Sequence, residues 1–226
     1  MRALLSADGG ADKLQPMPTT AYNRLSGQSL ERIAALSDGV FAVAMTLLVL
    51  DLHAPAAEAI HSEGDLLQKL LPLLPRLLAY LMSFLTLGIF WVGQQTQLNH
   101  LERANRNLAW IHLGFLFAVT LLPFTTSLLA EFIELRTALV LYWLNVLLLG
   151  LMLAGSWLYA SRFDLVKKDA PPDMNRMVLG RIVIAQSLYA FAMVLCLFST
   201  YLSIGFIVLI QLNYAIAPRM SKLLRY

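Results

Sequence analysis

Six apolar runs, each near twenty residues and all but the last two separated by charged or proline-containing stretches, dominate this sequence. A helix rising 1.5 Å per residue needs about 20 such residues to cross a hydrocarbon core of about 30 Å, so each run suits a bilayer span. They cover Ile33 to Leu52, Leu77 to Val92 with an extension into Gln94 and Gln95, Leu108 to Ala130, Ala138 to Ala160, Ile182 to Ser199, and Leu202 to Ala217. Composition points the same way: 58% of the 226 residues are hydrophobic and 14% charged, whereas soluble domains carry roughly 25% charged residues. Disorder and a fibre are excluded by so apolar a chain, and a disulfide scaffold by its single cysteine, Cys196. The expected fold class is all-α: a polytopic membrane protein of six transmembrane helices around residues 29–226, preceded by a mobile cytoplasmic tail over residues 1–28. The weakest division lies between the last two runs, where only Ser199, Thr200, Tyr201 and Ser203 suggest a turn. One continuous helix there would leave five spans.

Lysine and arginine placement sets orientation, because basic residues are retained on the cytoplasmic side. With six spans, 14 of the 17 basic residues fall on the side of the two termini, and only Lys69, Arg76 and Arg136 fall opposite. Both termini are therefore expected in the cytoplasm. The opposite loops hold Asp51, Glu58, Glu63, Asp65, Glu131 and Glu134. Residues Glu58 to Gln68 are expected to form a short amphipathic turn, and the Ser161 to Arg176 loop, with Lys167 and Lys168, reads as a basic connector facing anionic lipid. The net charge of +3 is explained by this asymmetry, so no nucleic-acid partner is expected.

The first run is unlike a lipid-facing helix. Ala34, Ala35, Ser37, Gly39, Ala42 and Ala44 let neighbouring helices approach closely, which marks it as the helix surrounded by protein. Asp38 strengthens this, since a carboxylate at mid-helix costs about 2.5 to 3.5 kcal/mol on insertion scales and is retained where it finds partners or water. Val43, Leu47 and Leu50 follow an i, i+4, i+7 spacing and form one stripe with Thr46 beside it, while Asp38 lies roughly 140° around the axis from Val43. If the stripe lines a pore, Asp38 turns back toward the protein. Its expected donors are Trp91 and His100, with His112 a second histidine candidate. On an unbroken helix residues 91 and 100 face opposite sides, so both reach Asp38 only if the chain turns between them, at Gly93 and the run Gln94 to Asn99, or if one comes from another subunit.

The string Arg32-x-x-x-Leu36-Ser37-Asp38-Gly39-Val40-Phe41-Ala42-Val43, continued by Thr46, Leu47, Leu50 and Asp51, resembles the Phe-Ser-Asp signature helix of the transmembrane-protein-175 family of potassium channels. Gly88-Ile-Phe-Trp91 and Leu122-Pro123-Phe124-Thr125 are similar to that family's second and third helices, so the resemblance covers at least three spans. Leu36 stands where the signature has Phe. The resemblance implies a potassium-preferring cation channel of the bacterial plasma membrane. This chain has one copy of the motif where the animal protein has two, so a homotetramer is implied. It further implies a pore lined by the first helices, an apolar gate at Val43, Leu47 and Leu50 with Thr46 near it, and a network of Arg32, Ser37, Asp38, Trp91 and His100 holding that helix. No cofactor is expected beyond the permeant potassium ion.

No Thr-Val-Gly-Tyr-Gly string is present to build a carbonyl filter. Selection is instead expected from partial dehydration at a narrow apolar constriction, with Thr46 hydroxyls as the nearest oxygen ligands. An enzyme is not expected, since His53, His61, His100 and His112 lack metal-site spacing and Cys196 has no histidine near it in sequence. A secondary transporter would show two related halves with interrupted helices, and no such repeat occurs. A noncatalytic membrane scaffold is the remaining alternative.

Overall fold

The computed structural model describes residues 29–56 and 60–216. The tail over residues 1–28 lies outside the described residues, as do Glu58 and the basic Arg219, Lys222 and Arg225. The long helices follow the apolar runs: α1 spans Leu30–Val49, α2 Glu63–Leu70, α3 Leu74–Asn99, α4 Arg106–Glu131, α5 Arg136–Arg162, α6 Met174–Leu195 and α7 Thr200–Ile216. Five stretches exceed the length and hydropathy of a bilayer span, and α7 is a shorter apolar helix, near the lower limit of about 17 residues. The chain is thus all-helical among the described residues, a multi-pass membrane protein of six apolar helices plus short α2.

Local chemistry explains the helix boundaries. Ser29 caps α1 by accepting from the Arg32 N–H, and Asn105 caps α4 by accepting from the Leu108 N–H; each satisfies one of the donors a first turn leaves free. Pro72 in the short turn before α3 and Pro75 in its first turn sit at first-turn positions, where a missing N–H costs little. Helix α4 runs on through Pro123. At the end of α5, Asp164 adopts φ 52° and the Leu165 N–H reaches back to the Ala160 carbonyl, a left-handed helix end that aspartate tolerates better than most residues.

The division between α6 and α7 is real and is held by polar groups. The Ser203 hydroxyl donates to the Ala192 carbonyl at 2.6 Å, and Arg136 donates to the Leu197 carbonyl at 3.0 Å. The first ties α7 back onto the last turn of α6, and the second pins the turn itself to α5.

Helices α4 and α5 form the central antiparallel pair; α1 packs on α3 and α4, while the α6–α7 hairpin packs on α5 and α3. At the basic end the two connecting loops join: Leu101 pairs with Val166, and Lys167 places its ammonium 2.8 Å from the Asn99 carbonyl, a cation at a helix C-terminus where the dipole favours it.

A buried polar layer crosses the bundle interior. Thr86 hydrogen-bonds the Tyr142 hydroxyl at 2.9 Å, Thr126 donates to Ser83 at 2.7 Å, and Gln211 donates to Thr86 at 2.7 Å and to Tyr189 at 3.2 Å. Five helices, α3 to α7, meet through these side chains, all nearly inaccessible. Thr86→Val keeps the shape but leaves Tyr142 and Gln211 each short of a partner. It is expected to cost about 1–2 kcal/mol, read as a thermal midpoint several degrees lower in detergent, with Thr86→Ser milder.

Candidate functional site

Helix α1 divides lengthwise into two faces. Ser37, Phe41, Ala44 and Leu48 are each at most 2% exposed, with Phe41 against Phe115 of α4 at a ring-centroid distance of 6.0 Å. The other half is uncovered: Val43 is 58% exposed, Leu47 45% and Leu50 64%, and Arg32, Leu36, Gly39 and Thr46 share that side. Helical spacing alone puts these residues within one half-turn of the axis. Thr46 donates its hydroxyl to the Val43 carbonyl at 2.8 Å. The proton is therefore turned into the helix, and the oxygen lone pairs remain free to accept or to coordinate.

Asp38 stands at the edge of the uncovered face, where α3 meets it. Its Oδ1 accepts from the Trp91 indole N–H at 2.8 Å and from the Gln95 amide at 2.7 Å. One turn of the same α3 face supplies Gln94, whose amide donates to the Ser37 hydroxyl at 2.8 Å; Ser37 in turn donates to the Ile33 carbonyl. Trp91, Gln94 and Gln95 are spaced i, i+3, i+4, so one stripe of α3 clasps two consecutive residues of α1. Both bonds end on a carboxylate oxygen, and a charged acceptor makes each stronger than a bond between neutral groups.

The structure brings together Ser37, Asp38 and Trp91 and leaves two other expected members apart. The expected turn between Trp91 and His100 does not form, because α3 stays helical to Asn99. His100 consequently lies nine residues, about 13 Å, further along the axis, and its Nδ1 is 2.7 Å from the Thr96 carbonyl. Gly93 serves packing instead: a Cβ there would lie 3.4 Å from Leu153 of α5. Arg32 lies in the first turn of α1 and makes no ion pair with Asp38, the Arg76–Glu131 pair near the acidic end being the one such pair among the described residues. His112 is buried beside α5, with Nδ1 3.0 Å from the Leu108 carbonyl and 3.5 Å from the Ser156 hydroxyl, so neither histidine partners Asp38 within the subunit. Gln94 and Gln95 were the missed members. Their signal was present in the i, i+3, i+4 spacing with Trp91, but glutamines following a glycine read as a turn.

Among the described residues no group of three His, Cys, Asp or Glu side chains is placed to hold a metal ion. What this arrangement offers is a rigidly clasped helix with an uncovered apolar and small-residue face.

Known proteins share this architecture. A family model described as the endosomal/lysosomal potassium channel TMEM175 matches residues 32–123, which includes α1, the clasping stripe of α3 and the first part of α4. A Streptomyces collinus protein named a potassium channel is 34% identical over 148 residues, covering 62% of this chain and 70% of that one. A Chamaesiphon minutus protein, also named a potassium channel, is 31% identical over 189 residues, covering 82% of this chain and 93% of that one. Among solved structures, the lysosomal potassium-selective channel TMEM175 homolog from Chamaesiphon minutus superposes with a TM-score of 0.69 at 28% identity, over 83% of this chain and 96% of that one. With the likeness running nearly the whole length of a relative more than 30% identical, this chain belongs to the TMEM175 family.

Proposed function

We propose that this protein is a potassium-preferring cation channel of the bacterial cell membrane, conducting passively through a pore that four copies build from their α1 helices. The relatives named potassium channels support the ion and the activity. The observation that carries the pore reading is the asymmetry of α1. One face is sealed against α3 and α4, while Val43, Leu47 and Leu50 are left 45–64% exposed in a helix rich in small residues. A helix meant only for lipid has no use for Gly39, Ala42 and Thr46 on its open side. Four copies of the Val43, Leu47 and Leu50 stripe around an axis make a narrow apolar constriction that empties of water and closes the path. Potassium sheds part of its hydration at lower cost than sodium, so a constriction that strips some water favours it. The four Thr46 oxygens are the nearest ligands to the ion at that point.

In this reading the basic end of the bundle, with Arg103, Arg106, Lys167 and Lys168, faces the cytoplasm, and the acidic end gathers cations outside.

Cysteines at Val43, Leu47 and Leu50, reacted one at a time with a thiol-specific cation in liposomes loaded with potassium, test the lining. Modification should stop most of the flux at each position. Unchanged flux after complete labelling would remove α1 from the pore. Thr46→Val tests selection separately: it keeps the shape and removes the oxygen, so the potassium-to-sodium permeability ratio should fall by about threefold with conductance largely retained. An unchanged ratio would take Thr46 out of the selection step.

A further inference from the structure

Helix α7 packs on α3, but α6 stands off from it, and between them lies a cleft of about 500 Å³. Phe84 and Gly88 line it near the bundle middle, Gln186 at mid-depth, and Arg181 with Tyr214 toward the basic end. By helix rise, its α3 wall from Phe84 to Gln97 is about 20 Å long, close to the hydrocarbon half of one leaflet, about 15 Å. Polarity is ordered along that length, cationic near the basic end and apolar near the centre.

Arg181 has no counter-charge among the described residues. It is exposed, eight residues into α6. An arginine at that depth in a span is costly unless its long side chain reaches an anion at headgroup level. At mid-depth the Gln186 amide is tied back to the Val146 carbonyl at 3.3 Å.

We propose that this cleft is a binding site for one anionic phospholipid of the leaflet at the basic end, its phosphate on Arg181 and an acyl chain lying along Gly88 and Phe84. The same cleft is walled by Trp91, whose indole N–H holds Asp38 of α1. An acyl chain packed on that ring restrains the clasp on the first helix, a consequence that rests on the channel reading, whereas the binding itself does not.

Native mass spectrometry of the full chain, released from mixed phosphatidylglycerol and phosphatidylcholine micelles, tests the binding without any current. The wild type should retain phosphatidylglycerol about tenfold over phosphatidylcholine, and Arg181→Gln should bring the two to near parity. Gly88→Leu, at a position where a Cβ meets nothing within 4 Å, should displace both lipids; Ala185→Phe provides a second filling variant should the first fold poorly. Retained preference in Arg181→Gln, or an undiminished lipid load in both filling variants, would overturn the proposal. So would efficient disulfide cross-linking of Gly88→Cys to a second copy in the membrane, which would make the cleft a seam between subunits.

Discussion

Leu47→Ser combined with Leu50→Ser is expected to raise potassium flux through the reconstituted protein by tenfold or more. In the proposed pore these two leucines, with Val43, form a constriction whose barrier is the cost of wetting an apolar ring. A hydroxyl at each position gives water and the ion something to bond, and every 1.4 kcal/mol removed from the barrier is a factor of ten in rate. Both positions are exposed in the subunit, so the change leaves the subunit's own core untouched and the protein should unfold at nearly the wild-type temperature. Leu48→Ser, one residue away on the sealed face at 1% exposure, should do the reverse: stability falls by about 2–4 kcal/mol. If the two exposed serines leave flux unchanged, the stripe is not the gate.

Breaking the clasp on α1 should have the second large effect. Trp91→Phe keeps an aromatic ring but removes the N–H that meets Asp38 at 2.8 Å, leaving Gln95 as its remaining donor. Loss of a hydrogen bond to a charged group costs about 1.5–3 kcal/mol, and the carboxylate then keeps half its support. Flux should fall by tenfold or more, and the thermal midpoint should drop with it. Asp38→Asn is the discriminating control: its carbonyl still accepts from Trp91 and Gln95, so stability should stay near wild type. Should Asp38→Asn abolish flux while the protein stays folded, the charge itself takes part in permeation, and the clasp is more than structural.

Much of the fold was legible because it depends on run length. An apolar segment between charges has one stable way to satisfy its backbone in lipid, so each became a helix, although α6 begins at Met174, eight residues before the expected Ile182, and α3 runs on to Asn99. The α6–α7 turn was marked in sequence by little more than Ser199 and Ser203. What holds it, Arg136 on the Leu197 carbonyl, lies on another helix and leaves no local trace. Within the site, the division of α1 into two faces followed from helical period alone, and Trp91 was found because an indole N–H can only donate.

The misplacement of His100 came from reading Gly93 and the glutamines as a chain break. In a membrane bundle those residues are instead the means of close packing and of internal hydrogen bonding. Gly93 lies against Leu153, and Gln94 is fully buried on Ser37. The polar layer around Tyr142 escaped notice for a related reason. Ser83, Thr86, Thr126 and Gln211 are each unremarkable in a membrane helix, and nothing in their numbering says that, with Tyr142 and Tyr189, they form one chain of hydrogen bonds across five helices.

The most direct test of the channel reading is the reversal potential across a planar bilayer holding the purified protein, with potassium chloride on one side and sodium chloride on the other. The proposed pore predicts a current that reverses toward the potassium equilibrium potential and grows with the gradient without saturating. A reversal at zero would contradict potassium preference, and the absence of current from folded, oligomeric protein would contradict the channel itself.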